Sequence, residues 1–172
     1  VEFYKACKDA GINPVLGYEA YVAPGSRFEQ SGANSSKEAA YHLTLLAQNE
    51  AGYRNLLKLS SAAQLEGFYY KPRMDWELLE KYHHGLIATT GCLGGHVLQS
   101  LLQGDEKGAL QKAGRLQEIF GKDNLFVELQ DHGLAAQRDT NPQLIEIAKK
   151  IGAPLIATND SHYVHQADHE SH

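Results

Sequence analysis

The sequence predicts an α/β domain with parallel strands, and three observations point to it. Apolar runs of strand length alternate with segments of helical periodicity along the chain. Glycine, proline and asparagine punctuate the changes between them. The residues able to do chemistry gather where the apolar runs end, as they do at the C-terminal edge of sheets built from strand–helix units.

The elements follow in order. Residues 1–10 set Val1, Phe3, Tyr4 and Cys7 on one helical face, and Gly11 supplies the stop. The first strand runs from Val15 to Val22. The stretch "PGSRFEQSGANSSKEAA" (24–40) has the serine, glycine and asparagine content of an exposed loop. A second strand, "YHLTLLA" (41–47), leads into a helix starting near Asn49 that turns Leu56, Leu57 and Leu59 inward. "GFYYKPR" (67–73) breaks that helix, and "DWELLEKY" (75–82) is a short amphipathic helix capped by Asp75. The third strand is "GLIATTG" (85–91), with helices at "GGHVLQSLLQG" (94–104) and "DEKGALQKAGRLQEIFG" (105–121). "NLFVELQDHG" (124–133) is the fourth strand, "NPQLIEIAKKIG" (141–152) a helix, and "APLIATND" (153–160) the fifth strand.

Bulk properties bound the function. The 172 residues make one domain, 1–172, with 42% hydrophobic and 22% charged residues. No apolar run approaches the roughly 18–20 residues that cross a bilayer, and no membrane partner is expected. A net charge of −5 gives no basic surface for nucleic acid. Contact with DNA would be local, metal-mediated or made by another part of the protein. Two cysteines, Cys7 and Cys92, do not make a disulfide framework and point to a reducing cytoplasm. The chain opens mid-helix without an initiator methionine and reads as a piece of something longer.

Five residues at strand ends have metal-ligand side chains: Glu19, His42, Cys92, Asp160 and His162. Glu19 lies inside an apolar strand, where a carboxylate is costly unless paired or metal-bound. Asp160 and His162 fall on the same side of an extended chain; a helix-capping Asp and a packed His are the plainer alternative. His42 could be a satisfied core histidine and Cys92 a small buried hydrophobe, although the glycines around Cys92 suggest a backbone shaped to aim it. Asp131 and His132 are equally a supporting pair or a polar turn. His83 and His84 end a helix, and His165, His169 and His172 read as surface residues.

Six stretches carry a resemblance: "GYEAYVAPGSR", "YHLTLLAQNEAGYRNLLKL", "EGFYYKPRMD", "GLIATTGCLGG", "FVELQDHG" and "PLIATNDSHY". Together they resemble the polymerase-and-histidinol-phosphatase (PHP) domain at the N-terminus of bacterial replicative DNA polymerase III α subunits. The resemblance implies a distorted seven-stranded (β/α) barrel of the PHP type, incomplete here because the first strand is missing. It implies two or three divalent metal ions, zinc with Mn or Fe as further candidates. Matched residue by residue, the ligands present would be Glu19, His42, Cys92, Asp160 and His162. An upstream His-x-His and Thr-Asp-His-Gly would complete the set, so this stretch alone is expected to be inactive. The implied activity is a metal-dependent phosphoesterase, a 3′–5′ exonuclease that proofreads DNA, within a DNA-directed DNA polymerase. DNA and other replisome subunits, including a separate proofreading exonuclease, are the implied partners. The alternatives are a non-catalytic scaffold and a histidinol-phosphate-type phosphatase.

Overall fold

Two-residue alternation along the strands decides the architecture. The computed structural model describes residues 2–30 and 40–171. In chain order it has α1 (Glu2–Asp9), β1 (Gly17–Val22), β2 (Tyr41–Ala47), α2 (Glu50–Leu65), β3 (Phe68–Tyr69), β4 (Lys71–Met74) and α3 (Trp76–Tyr82). Then follow β5 (Leu86–Thr89), α4 (His96–Leu102), α5 (Glu106–Phe120), β6 (Leu125–Leu129), α6 (Ala135–Ile151), β7 (Leu155–Ala157) and a 3₁₀ turn, Gln166–Glu170. The strands form one sheet in the order β3-β4-β1-β2-β5-β6-β7. Among the described residues the sheet is open, with β3 and β7 at its edges.

The α/β class holds, but the sheet is mixed rather than parallel. β2 runs antiparallel to both neighbours, β1 and β5, and β3 is antiparallel to β4. β1/β4, β5/β6 and β6/β7 are parallel. The link from β1 to β2 lacks helical periodicity in sequence, and antiparallel neighbours need no crossover helix. Its middle, 31–39, lies outside the described residues, as do Val1 and His172.

Directly paired residues share a face, so the register sorts the sheet into two sides. Ala20, Val22, Leu43, Leu45, Leu86, Ala88, Leu125 and Val127 occupy one side and are all buried. They join one core with Leu56 and Leu59 of α2, Val97 of α4, Leu116 of α5 and Leu144 of α6. Glu19, Tyr21, His42, Thr44, Leu46, Ile87 and Phe126 lie on the other side, none of them fully buried. The candidate ligands of β1 and β2 therefore sit on the less covered side.

Several boundaries differ from the sequence-based expectation. The buried positions of α2 are Gly52, Leu56, Leu59 and Ala63, a helical stripe that leaves Leu57 pointing outward. The apolar face predicted for α1 is not packed: Phe3 and Tyr4 are exposed. The helix α6 begins at Ala135, well before Asn141, and passes through Pro142, which has no N–H for the carbonyl of Arg138. "GFYYKPR" does end α2, but it also forms the β3–β4 turn, with Tyr70 in the left-handed region at φ 58°.

Two arginines close this corner. Arg73 donates to the carbonyls of Gly67 (3.1 Å), Arg27 (3.1 Å) and Glu29 (2.8 Å). Arg27, also buried, pairs with Asp75 at 3.0 Å and Glu66 at 2.8 Å. Asp75 caps α3 as predicted, accepting from Leu78 N at 3.1 Å. These polar groups fasten the loop after β1 to α2 and α3.

Candidate metal centre

His42 opens β2, yet it lies at the edge where β1 finishes, because β2 runs the opposite way. Tyr21 pairs with His42 in the ladder, and Glu19 pairs with Thr44, so Glu19 and His42 are diagonal neighbours on one face. Glu19 Oε1 lies 2.5 Å from His42 Nδ1. The Tyr21 ring meets the imidazole edge-on, with centroids 5.3 Å apart, and limits its tilt.

Cys92 reaches the same point from the turn after β5. Its Sγ lies 3.3 Å from His42 Nδ1 and 3.8 Å from Glu19 Oε1. The glycines of "GCLGG" explain how. Gly91 is left-handed at φ 78°, which turns the chain back over β2. His42 N donates to Gly94 O at 3.0 Å, and a Cβ on Gly94 would stand only 3.0–3.2 Å from the imidazole ring. The turn is thus moulded to His42.

One ligand atom from each of Glu19, His42 and Cys92 falls within 4.8 Å of the others, and this is the one such group among the described residues. A single Nδ1 proton cannot point fully at both the carboxylate and the sulfur. A cation is not limited to one direction, and oxygen, nitrogen and sulfur together are a donor set that suits zinc. The residues fit a metal.

The electrostatics agree with tight coupling. The pKa of His42 is pushed up to about 10, first by its hydrogen bond with Cys92 and then by that with Glu19, against the effect of burial. The hydrogen bond from His42 is the largest influence holding the Glu19 carboxyl below its usual range, and the charges of His42 and His162 add to it.

Asp160 and His162 stand outside this three-residue group, although His162 lies near enough for its charge to act on Glu19. The argument from an extended chain fails here. The strand β7 stops at Ala157, and Asp160 turns into the left-handed region at φ 47°. The His162 ring instead folds back on its own turn, with Nδ1 2.6 Å from Asp160 O and 4.0 Å from its carboxylate.

A buried carboxylate that sequence reasoning passed over supports this edge. Glu128 of β6 accepts from Thr89, the last residue of β5, from Thr158, just after β7, and from Gln130 at 3.0 Å. The signal in the sequence was a glutamate inside "FVELQ", the same pattern as Glu19 in its apolar strand. His83 bonds the Glu80 carbonyl at the end of α3, and His165 and His169 are exposed.

Comparison with known proteins bears on this arrangement. The PHP domain family matches residues 1–132. DNA polymerase III subunit alpha of Deinococcus radiodurans is 47% identical over 174 residues, covering 100% of this chain and 13% of that protein. The subunits of Treponema pallidum (48% over 168 residues) and Thermus aquaticus (46% over 172) cover 98% and 100% of this chain, and 14% of each relative. The chain thus spans about a seventh of the length of these curated relatives. Carboxylate, imidazole and thiol meet on one face of the sheet in a chain whose sequence matches over most of its length, and it belongs to the PHP domain family.

Proposed function

We propose that residues 1–172 are a metal-binding PHP domain of a DNA polymerase III α subunit, and that the domain hydrolyses phosphodiesters as a 3′–5′ exonuclease. The observation that carries the chemistry is the convergence of Glu19, His42 and Cys92 within 4.8 Å. The relatives' names support the polymerase context. Asp160 and His162 are proposed as further ligands, brought in when the set is completed by residues outside this chain. Closure of the open sheet into a seven-stranded barrel belongs to the same proposal, as do DNA and replisome subunits as partners and a cytoplasmic location.

Zinc is the metal proposed first because of the Cys92 thiol, with manganese or iron sharing a mixed site. A divalent cation held there supplies Lewis acidity toward water and the scissile phosphate. The chain's own residues do the rest. Glu19, His42 and Cys92 would hold such a cation through a carboxylate oxygen, an imidazole nitrogen and a sulfur. The edge-on Tyr21 ring flanks the imidazole, Gly94 leaves it room, and the less covered face leaves the site open to a DNA end.

The test uses the full-length protein. Metal content is measured alongside release of nucleotides from single-stranded and mismatched 3′ ends, in wild type and Cys92→Ala. Loss of both metal and hydrolysis in the variant, with primer extension retained, is expected. Metal binding without any nuclease would favour the scaffold, and preference for a phosphomonoester would favour the phosphatase. Unchanged metal content in the variant would sink the site.

A further inference from the structure

We propose that His132 is a positioning residue that holds the Asp160–His162 segment through the carbonyl of Asn159; this rests on the metal-centre reading above. The β6–β7 ladder ends at Leu129↔Ala157, and its last bond is Thr158 N to Leu129 O at 3.1 Å. Beyond that point no strand pairing fixes the chain among the described residues. His132, from the turn between β6 and α6, reaches across the gap: its Nε2 lies 2.8 Å from Asn159 O.

The hydrogen bonds around His132 leave it one tautomer. Gln137, buried in the first turn of α6, uses both ends of its amide on this residue. The backbone N–H of His132 can only donate, so the atom 2.7 Å from it is the amide oxygen, Oε1. The other end of that amide is therefore the nitrogen, which can only donate, and it lies 2.9 Å from His132 Nδ1. Nδ1 must then be the bare nitrogen. The ring proton sits on Nε2, where it donates to Asn159 O. A carbonyl can only accept, so each partner in the chain Gln137–His132–Asn159 is consistent with the next.

This anchor works beside a second one. Thr158 donates its hydroxyl to the buried Glu128 carboxylate, so residues 158 and 159 are each tied down from β6 or its following turn. The very next residue, Asp160, takes the left-handed conformation, and His162 folds onto its carbonyl. Held at Asn159, the turn can present only a narrow range of directions for Asp160 and His162. Freed, it loses that restriction while Glu19, His42 and Cys92 keep theirs. Ligand-orienting partners of this type typically change metal affinity by about 10–100-fold.

The experiment compares full-length wild type, His132→Ala and His132→Gln. Zinc affinity is measured by chelator competition, and the cobalt-substituted proteins by visible absorption. In His132→Ala, affinity should fall by about 10–100-fold. The sulfur-to-cobalt band of Cys92 should persist while the d–d bands change. His132→Gln keeps an N–H donor of similar reach and should recover most of the affinity, which a general packing defect would not allow. Nitrogen-15 NMR should show His132 protonated on Nε2. Equal affinities and identical cobalt spectra in wild type and His132→Ala, or a ring protonated on Nδ1, would overturn the proposal. Wild-type protein that takes up no metal would overturn the metal-centre reading itself, a distinct result. Should His132→Ala not fold, His132→Gln and the NMR tautomer still decide the matter.

Discussion

Glu19 Oε1 sits 2.5 Å from His42 Nδ1, across one diagonal of an antiparallel strand pair. Neither residue needs a loop to reach the other, so the contact is as rigid as the ladder beneath it. Removing Glu19 or Cys92 should therefore leave the fold intact and cost metal. Zinc affinity of Glu19→Gln and Cys92→Ser is expected to drop at least as far as for loss of an orienting partner, about 10–100-fold. Chelator competition measures it; wild-type affinity in both variants would refute the ligand assignment.

Metal uptake should also depend on pH. With its pKa raised to about 10, chiefly by Cys92 and then Glu19, His42 carries a proton through the neutral range in metal-free protein. A cation must displace that proton, so affinity should rise with pH up to about 10 and binding should release protons. Stability of the metal-free protein moves the other way. The raised pKa contributes stability that is fully present below the unfolded value of 6.5 and lost as pH rises through about 10. Calorimetry in buffers of different ionisation enthalpy counts the protons; none released at pH 7.5 would contradict this account.

His96 should act in the acid range. It is buried against Tyr41 and Trp76, with ring centroids 4.0 and 5.1 Å away, and neither ring nitrogen has a partner among the described residues. Burial first, then the charges of Lys112 and Arg115, depresses its pKa to about 3. A depressed value contributes stability present above the unfolded 6.5 and lost as pH falls towards 3. His96→Phe should keep the stacking and remove two unsatisfied atoms, raising stability at neutral pH by about 1 kcal/mol or more. Urea midpoints at pH 7.5 and 4.5 should differ less in the variant than in wild type. Identical pH dependence would count against it.

Asp75 should be among the least replaceable residues outside the core. It pairs with buried Arg27 and caps α3, so Asp75→Ala removes a cap and leaves a guanidinium underpaired. A loss of about 3–5 kcal/mol is expected, read from urea unfolding. A loss under about 1 kcal/mol would mean that Glu66 and Glu77 together satisfy Arg27.

Gly94 offers a steric probe of the centre. Its φ is not positive, so alanine is allowed by the backbone, but the new Cβ would press to 3.0–3.2 Å on the imidazole. Gly94→Ala should shift His42, costing about 1 kcal/mol or more in metal binding, or roughly fivefold. Unchanged affinity would show that the ring has room to yield.

Position along the strands was legible in the sequence, because alternation is local. Glu19, His42 and Cys92 could be placed at strand ends, and three of the elements that carry them have nearly the expected bounds. Strand direction was not legible, since an antiparallel strand has the same alternation as a parallel one. That mattered little for His42, because reversing β2 brings its first residues to the edge where β1 ends. The failure after β7 had another cause: that strand is parallel to β6 as expected, but the chain leaves it at Ala157 and the left-handed Asp160 spoils any argument from extended spacing. Glu128 and Arg27 were missed for a common reason: their partners, Thr89 and Thr158 in one case and Asp75 in the other, lie far off in sequence.

The antiparallel register of β1 and β2 has a consequence for recognising such sites elsewhere. Hydrogen bonds between the strands, rather than the segment that joins them, fix where Glu19 stands relative to His42. Lengthening or shortening such a segment costs little, since closure entropy grows only slowly with length. The interval between the two residues in a linear chain is therefore not a fingerprint. A pattern search demanding a fixed gap would pass over relatives whose sites are geometrically the same. One that seeks a glutamate in an alternating strand, then at any distance a histidine opening the next strand, would find them.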